Sequence, residues 1–482
     1  MATKKDLVEA YAFSRRRLVT AFVSGAPGGR EVEPTRPGRM IVGGIALAVL
    51  LLAGAAVAGA LTKRTPVDWD QAGLVTDEHG ALYIILDEDR VPGEPRLRPI
   101  INVTSAQLIL GPDVETQGVP DDTLAGRRKG PPIGILDAPS TVPPPDDLVN
   151  TGWTSCTGTG FGQMTEVGSE SRFEPRSGQA FHVQARESGK RFLIAEGTLG
   201  DRPVSAYKYE LPAKNVDLDV AVGTSQTAVT VPDSWLALFP TGGSLDARGL
   251  GFEGWGKPAN LSAFPGARVG DYYVTPQGQT FGITRGGPTL LTQFAAVVLR
   301  ATAFPGGKGF PDAVDAPPPG QAILERDSPF AAAAWPSGLL VDQTVPGDAR
   351  ICGVLRTAEG EEPSVALATI EDGPGMLEGV DPGEREVNVL SGTGALIRSA
   401  GWASDTTGTP HLIDDRGRSY SIAGLTEIAQ LGYADVPVLV VPHVWNKLFR
   451  AGPDLSVAAA LCPPRPDIDP DIDTDTGAEV RC

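Results

Sequence analysis

Between Met40 and Leu61 the chain runs for 22 residues, MIVGGIALAVLLLAGAAVAGAL, without a charge, a proline or an amide side chain. As a helix such a run is about 33 Å long at ~1.5 Å per residue, close to the ~30 Å hydrocarbon thickness of a bilayer. A helix buried in a soluble core normally carries a polar stripe, and this run has none. Ala58-Gly59-Ala60 would suit a signal peptidase. The apolar run is nevertheless longer than the ~7–15 residues of a signal-peptide core, and it begins far from the first residue. The expectation is an uncleaved transmembrane helix over 40–61 that separates a short basic tail from a large acidic part.

The flanking charges set an expected orientation. Residues 1–39 hold eight Lys and Arg, among them Arg15, Arg16, Arg17 and Arg39, against four acids. The excess of basic residues keeps that end in the cytoplasm. Lys63 and Arg64 on the far side weaken the asymmetry without reversing it. Within the tail, Leu7, Tyr11, Leu18 and Phe22 fall on one helical face. One reading is a solvated basic helix that fixes topology. The favoured reading is an amphipathic helix that lies on the inner leaflet or docks a partner.

About 420 of the 482 residues follow the apolar run, enough for one large or two ordinary domains. The chain carries −18 overall and the tail +4, leaving −22 for the rest. So acidic an exported part argues against nucleic acid and against docking on anionic lipid. Gly (59) and Pro (43) supply about a fifth of the chain, which points to a loop-rich α+β fold dominated by strands.

That exported part reads as an internal duplication. VPDSWLALFPTGGSL at 231–245 and VPHVWNKLFRAGPDL at 441–455 agree at seven positions without a gap, V-P-x-x-W-x-x-L-F-x-x-G-x-x-L. The pattern predicts a short helix with Trp235 or Trp445 and a Leu-Phe pair packed inward, closed by a C-terminal glycine cap. Packing anchors are preferred over partner anchors for the two tryptophans. A second pair, HGALYII from His79 and QGQTFGI from Gln277, predicts a tight turn feeding a strand. Each copy precedes a helix-like run, 105–110 and 290–299. Cys156 and Cys352 stand 196 residues apart, in equivalent places of the two halves. If the halves pack about a pseudo-two-fold axis, equivalent residues near it can meet in a disulfide, which an exported domain permits. Cys462 and Cys482 can pair with each other or stay free.

The expected organisation is a cytoplasmic tail (1–39), a transmembrane helix (40–61) and four outer repeats (62–112, 201–256, 257–310 and 406–462). The repeats surround a core in two parts (113–200 and 311–405), and an acidic tail follows (463–482) with Asp467, Asp469, Asp471, Asp473 and Asp475 at alternate positions. No G-x-x-x-x-G-K-[ST], G-x-S-x-G or H-E-x-x-H occurs, and His79, His182, His411 and His443 are scattered. The alternating aspartates lack the glycine and glutamate of a calcium loop. No catalytic, cofactor-binding or metal-binding residues are therefore assigned, and no cofactor is expected.

Several of these residues together resemble the EccB family, the single-pass membrane component of actinobacterial type VII (ESX) secretion systems. The likeness rests on MATKKDLVEAYAFSRRRLVTAFVSG at the start, Arg36 to Arg39 before the apolar run, and Trp153 with Cys156. It continues through the motif around Trp235, Asp271-Tyr272-Tyr273-Val274, Cys352, and Leu431-Gly432-Tyr433 leading into Val441-Pro442. The resemblance implies an elongated periplasmic domain with quasi-two-fold repeats around a β core, joined by one disulfide at Cys156 and Cys352. It implies a structural role in a core membrane complex with EccC (an FtsK/SpoIIIE-type ATPase), EccD and EccE, and self-association through the periplasmic domain. Peptidoglycan is a further partner it implies, while membrane lipid is a partner expected from the apolar run and the tail helix. A membrane-anchored wall-binding protein and a nucleotide hydrolase without a Walker motif are the rival readings.

Overall fold

The computed structural model describes residues 4–24 and 67–464, apart from 91–93, 169–170, 172, 214, 318–328, 341–343, 371–376, 378–379 and 405. The apolar run 40–61, Arg39, Cys482 and the aspartates of the tail lie outside the described residues. Among the described residues no helix is long and apolar enough to cross a membrane. Two compact units divide the chain, one of residues 1–67 with 118–120 and one of the remainder. In the first, helix α1 (Lys4–Ser24) exposes Leu7, Tyr11 and Leu18 together with Arg15, Arg16 and Arg17.

The described strands form five small sheets. β1 (Gly73–Thr76), β2 (Leu82–Ile85), β3 (Leu97–Pro99) and β4 (Thr116–Gly118) are ordered β3-β2-β1-β4. β5 (Thr154–Gly158) and β6 (Gln163–Val167) form an antiparallel pair. β7 (Ala180–Ala185), β8 (Arg191–Gly197), β9 (Ser205–Glu210) and β10 (Val229–Val231) are ordered β10-β7-β8-β9. β11 (Tyr272–Val274), β12 (Thr280–Thr284) and β13 (Gly287–Leu291) make a three-stranded sheet. β14 (Arg350–Arg356), β15 (Ser364–Ile370) and β16 (Arg385–Val389) extend the β5–β6 pair into the order β15-β14-β5-β6-β16. β17 (Ala395–Ala400), β18 (Thr409–Ile413), β19 (Arg418–Ser421), β20 (Leu439–Pro442) and β21 (Arg450–Ala451) are ordered β20-β17-β18-β19-β21.

Two of these sheets repeat one another. β10 lies parallel to β7 as β20 does to β17, and the β7-β8-β9 and β17-β18-β19 meanders are both antiparallel. The parallel bridge from Lys208 to Thr241 stands where β21 joins β19. Both sheets draw strands from either side of positions 200 and 405, so segments read from the sequence as core and as repeat share a ladder. The β1–β2 and β11–β12 turns also match, with Gly80 and Gly278 both at φ 84°. No β-carbon stands in the way of that left-handed backbone.

Helices follow the same pairing. α2 (Val103–Leu110) begins at Asn102, whose side chain accepts from Ser105 N, and α3 (Asp121–Ala125) follows it. α4 (Val216–Ala221), α5 (Asp233–Leu236) and α6 (Ala247–Leu250) precede α7 (Gln293–Ala301), which Thr292 caps. α8 (Leu425–Gln430), α9 (His443–Asn446) and α10 (Val457–Ala460) come last. α7 packs against α4 and α6, while α2 packs against α8 and α10. The first outer segment therefore meets the last, and the two inner ones meet each other. Their apolar faces build two equivalent clusters, one around Tyr209, Phe294 and Trp335 and one around Leu108, Tyr420 and Tyr433. A third, central cluster holds Trp153, Trp235 and Trp445.

Two sequence expectations change. Residues 290–291 finish β13, and the helix starts only after Thr292, where its hydroxyl can accept from Ala295 N. Gly242 and Gly452 cap nothing: α5 is capped at Ala237 and α9 at Lys447. Each glycine instead lies beneath an aromatic ring. A β-carbon at Gly242 would stand 2.1 Å from Tyr209, and one at Gly452 would stand 2.4 Å from Tyr420.

Candidate functional site

The two halves are joined where β5 meets β14. These strands are antiparallel with Cys156 directly opposite Cys352, their Cα atoms 4.1 Å apart, and a disulfide links them. Directly opposed residues of an antiparallel pair send their side chains to one face, so the bond forms without bending either strand. Both cysteines are fully buried, packed with Val354, Ala366, Ala368 and Leu377. Cys462 is also disulfide-bonded.

The opposite side of this junction receives the two tryptophan motifs. Trp235, on α5, donates its indole N–H to Ser155 O at 2.9 Å and meets the Phe239 ring at 4.8 Å. Trp445, on α9, donates to Leu238 O at 3.1 Å, so the second motif is bonded to the first. Phe449 closes the stack with its ring edge-on to Trp153 at 5.4 Å. Both Trp235 and Trp445 are 0% exposed, so neither is offered to a partner on the surface.

Beside the cysteines runs a buried polar chain that the sequence reading missed. Ser234 Oγ donates to Gln163 Oε1 at 2.7 Å, and Gln163 Nε2 donates to Ser155 Oγ at 3.1 Å. Thr165 Oγ1 donates to the same Ser155 oxygen at 2.9 Å. The T-S-C-T-G and Q-M-T-E-V strands signal it only as hydroxyls in segments otherwise fit for burial. No member of this chain ionises. Bonded to one another, such groups fix register and packing; they supply no acid, base or nucleophile.

Each histidine has one ring nitrogen facing an oxygen, while His182 Nε2 is buried without a hydrogen-bond partner among the described residues. His182 is 3% exposed with Nδ1 2.9 Å from Gln226 O, and burial holds its pKa below the usual value. Burial likewise lowers His411. Ser419 Oγ stands 3.2 Å from His411 Nδ1 but donates to Asn446 Oδ1 at 2.7 Å, so its proton is not directed at the imidazole. His443 Nδ1 lies 3.1 Å from Ala400 O. Asp77, His79 and Asp121 bring three ligand atoms within 4.8 Å of one another. His79 pairs with Asp121 at 3.0 Å, and Asp77 accepts from His79 N and Ala81 N, so this trio ties the β1–β2 turn to α3.

The family described as "Type VII secretion system ESX-1, transport TM domain B" matches residues 1–464. The chain belongs to the EccB family. Among curated EccB relatives it is 27% identical, over 499 residues, to the "ESX-1 secretion system ATPase EccB1" of Mycolicibacterium smegmatis (strain MKD8), with 95% of each chain covered. Its fold is similar to that of a chain in the "intact ESX-5 inner membrane complex" (TM-score 0.58, 21% identity, 99% of this chain and 98% of that one). It is also similar to the "EccB3 dimer from the ESX-3 core complex" (TM-score 0.60, 20% identity, 81% and 100%).

Proposed function

We propose that this EccB chain is a structural subunit of the core membrane complex of a type VII (ESX) secretion system. The observation that carries the reading is the family match, which runs from residue 1 to residue 464 and so takes in basic tail, apolar run and folded part together. In this reading α1 stays in the cytoplasm, residues 40–61 cross the inner membrane once, and the part from residue 62 scaffolds the periplasmic exit side. Four outer repeats surround a core with quasi-two-fold symmetry, and the Cys156–Cys352 bond holds the halves together. EccC, EccD and EccE are its partners. A second copy is another, in keeping with the relative solved as an EccB3 dimer.

The reading places nucleotide hydrolysis in the FtsK/SpoIIIE-type partner, although the curated relative's name contains the word ATPase. The sequence has no G-x-x-x-x-G-K-[ST] with which to cradle phosphates. The test is the purified full chain in mild detergent, assayed for phosphate release from ATP across two orthogonal chromatography steps. The expected result is hydrolysis that fails to follow the protein peak. Hydrolysis that tracks the peak and survives both steps would contradict this assignment.

A further inference from the structure

A cleft of about 440 Å³ opens between the first and last outer segments, lined by Asn102, Asp137, Ser140, Arg416, Arg418 and Arg450 among others. Its cations are unusual for a chain of net charge −18. Arg418 and Arg450 stand directly opposite each other on the parallel strands β19 and β21. Like charges in that position repel. Among the described residues neither has a carboxylate partner. Arg416 pairs with Asp414 at 3.4 Å. That carboxylate also accepts from the Tyr420 hydroxyl at 2.9 Å and from the backbone of Arg418 at 2.9 Å.

The duplication supplies a comparison inside the molecule. Gly242 beneath Tyr209 matches Gly452 beneath Tyr420, which aligns Arg418 with Tyr207 and Arg450 with Pro240. The sister sheet builds the same corner with no cation at either place, so the fold itself does not require the arginines. Asn102, which also lines the cleft, is already engaged at both ends of its amide, accepting from Ser105 N and donating to Ile135 O, so the arginines are the groups left to bind.

We infer that this cleft is a carboxylate-binding site, fitted to an acidic segment with aspartates at alternate positions. Guanidinium groups bind carboxylates through paired hydrogen bonds. An extended peptide with acids at every second residue presents them on one side, about 7 Å apart. The chain itself contains this chemistry at Asp467, Asp469, Asp471, Asp473 and Asp475. Gly134 N, in the segment that leads to Asp137, donates to Cys462 O at 3.1 Å, which sets Cys462, five residues before Asp467 in the sequence, beside that segment. A tethered ligand acts at a high effective concentration. The other source of the same chemistry is an acidic segment of another chain.

The experiment follows the fluorescence anisotropy of a labelled peptide with the sequence of residues 466–476, titrated with the full chain in detergent. A full-chain variant with all five aspartates changed to asparagine should bind the peptide. Adding Arg418→Gln and Arg450→Gln to that variant should weaken binding at least ten-fold without lowering its melting temperature. Arg418→Lys with Arg450→Lys should recover only part of it. Weaker peptide binding by the parent chain than by the five-asparagine variant identifies the chain's own aspartates as the ligand. Equal binding by the two assigns the segment to another chain and retains the site. Binding no tighter than that of an all-asparagine peptide, or unchanged by the two glutamines, overturns the inference.

Discussion

Gly242 and Gly452 show how one letter can serve two physical purposes. A glycine that follows a short helix reads as a left-handed cap, but here each gives a tyrosine ring room to lie against the backbone. Gly242→Ala or Gly452→Ala forces that ring or its strand to move, at a cost of about 1–3 kcal/mol. Thermal melts should therefore fall for either alanine variant and recover when Tyr209 or Tyr420, respectively, is also changed to leucine. A melting temperature equal to the parent's would contradict the contact. The buried histidines give a second prediction at this scale. With His182 and His411 held below the ordinary histidine range by burial, the unfolded chain takes up protons first as pH falls. Stability should then be full above about pH 6.5 and decline as pH drops through that value. His182→Gln should flatten part of the slope in urea titrations at pH 5 to 7. An unaltered slope would refute the role given to burial.

At the scale of elements, the repeated tryptophan motif was legible because a β strand, a short helix and two aromatic anchors recur with the same spacing. The turns at Gly80 and Gly278 were legible for a similar reason, since their left-handed backbone favours glycine. The partnering of the outer segments was not. α2 packs on α8 and α10 rather than on α4, and no periodic pattern in the sequence marks that choice. The polar chain through Ser155 and Gln163 was hidden for another reason: a hydroxyl in a strand is read as surface until its partners are known. The Cys156–Cys352 bond closes a loop of 196 residues. By loop-closure entropy it contributes roughly 5 kcal/mol as an upper figure. Cys156→Ser with Cys352→Ser should lower the urea midpoint by a corresponding amount, whereas an unchanged midpoint would show that packing alone holds β5 to β14. Trp445→Phe removes the bond to Leu238 O while keeping much of the ring, and should cost about 1–3 kcal/mol.

For the whole molecule, the interior chemistry favours holding shape. The disulfide, the tryptophan stack and the neutral polar chain all lie at the junction of the two halves, and none of them offers an ionisable group. The surface charge and the cleft arginines are the features turned outward. Such an interior suits a structural subunit of the ESX core membrane complex. The most direct measurement is a native gel of a mild-detergent membrane extract carrying this chain with a C-terminal tag. Mass spectrometry of the tagged band and a probe for a second core subunit accompany the gel. The account predicts a megadalton species containing an FtsK/SpoIIIE-type ATPase. Migration as a monomer or simple dimer, while the second subunit shows the complex intact, would contradict it.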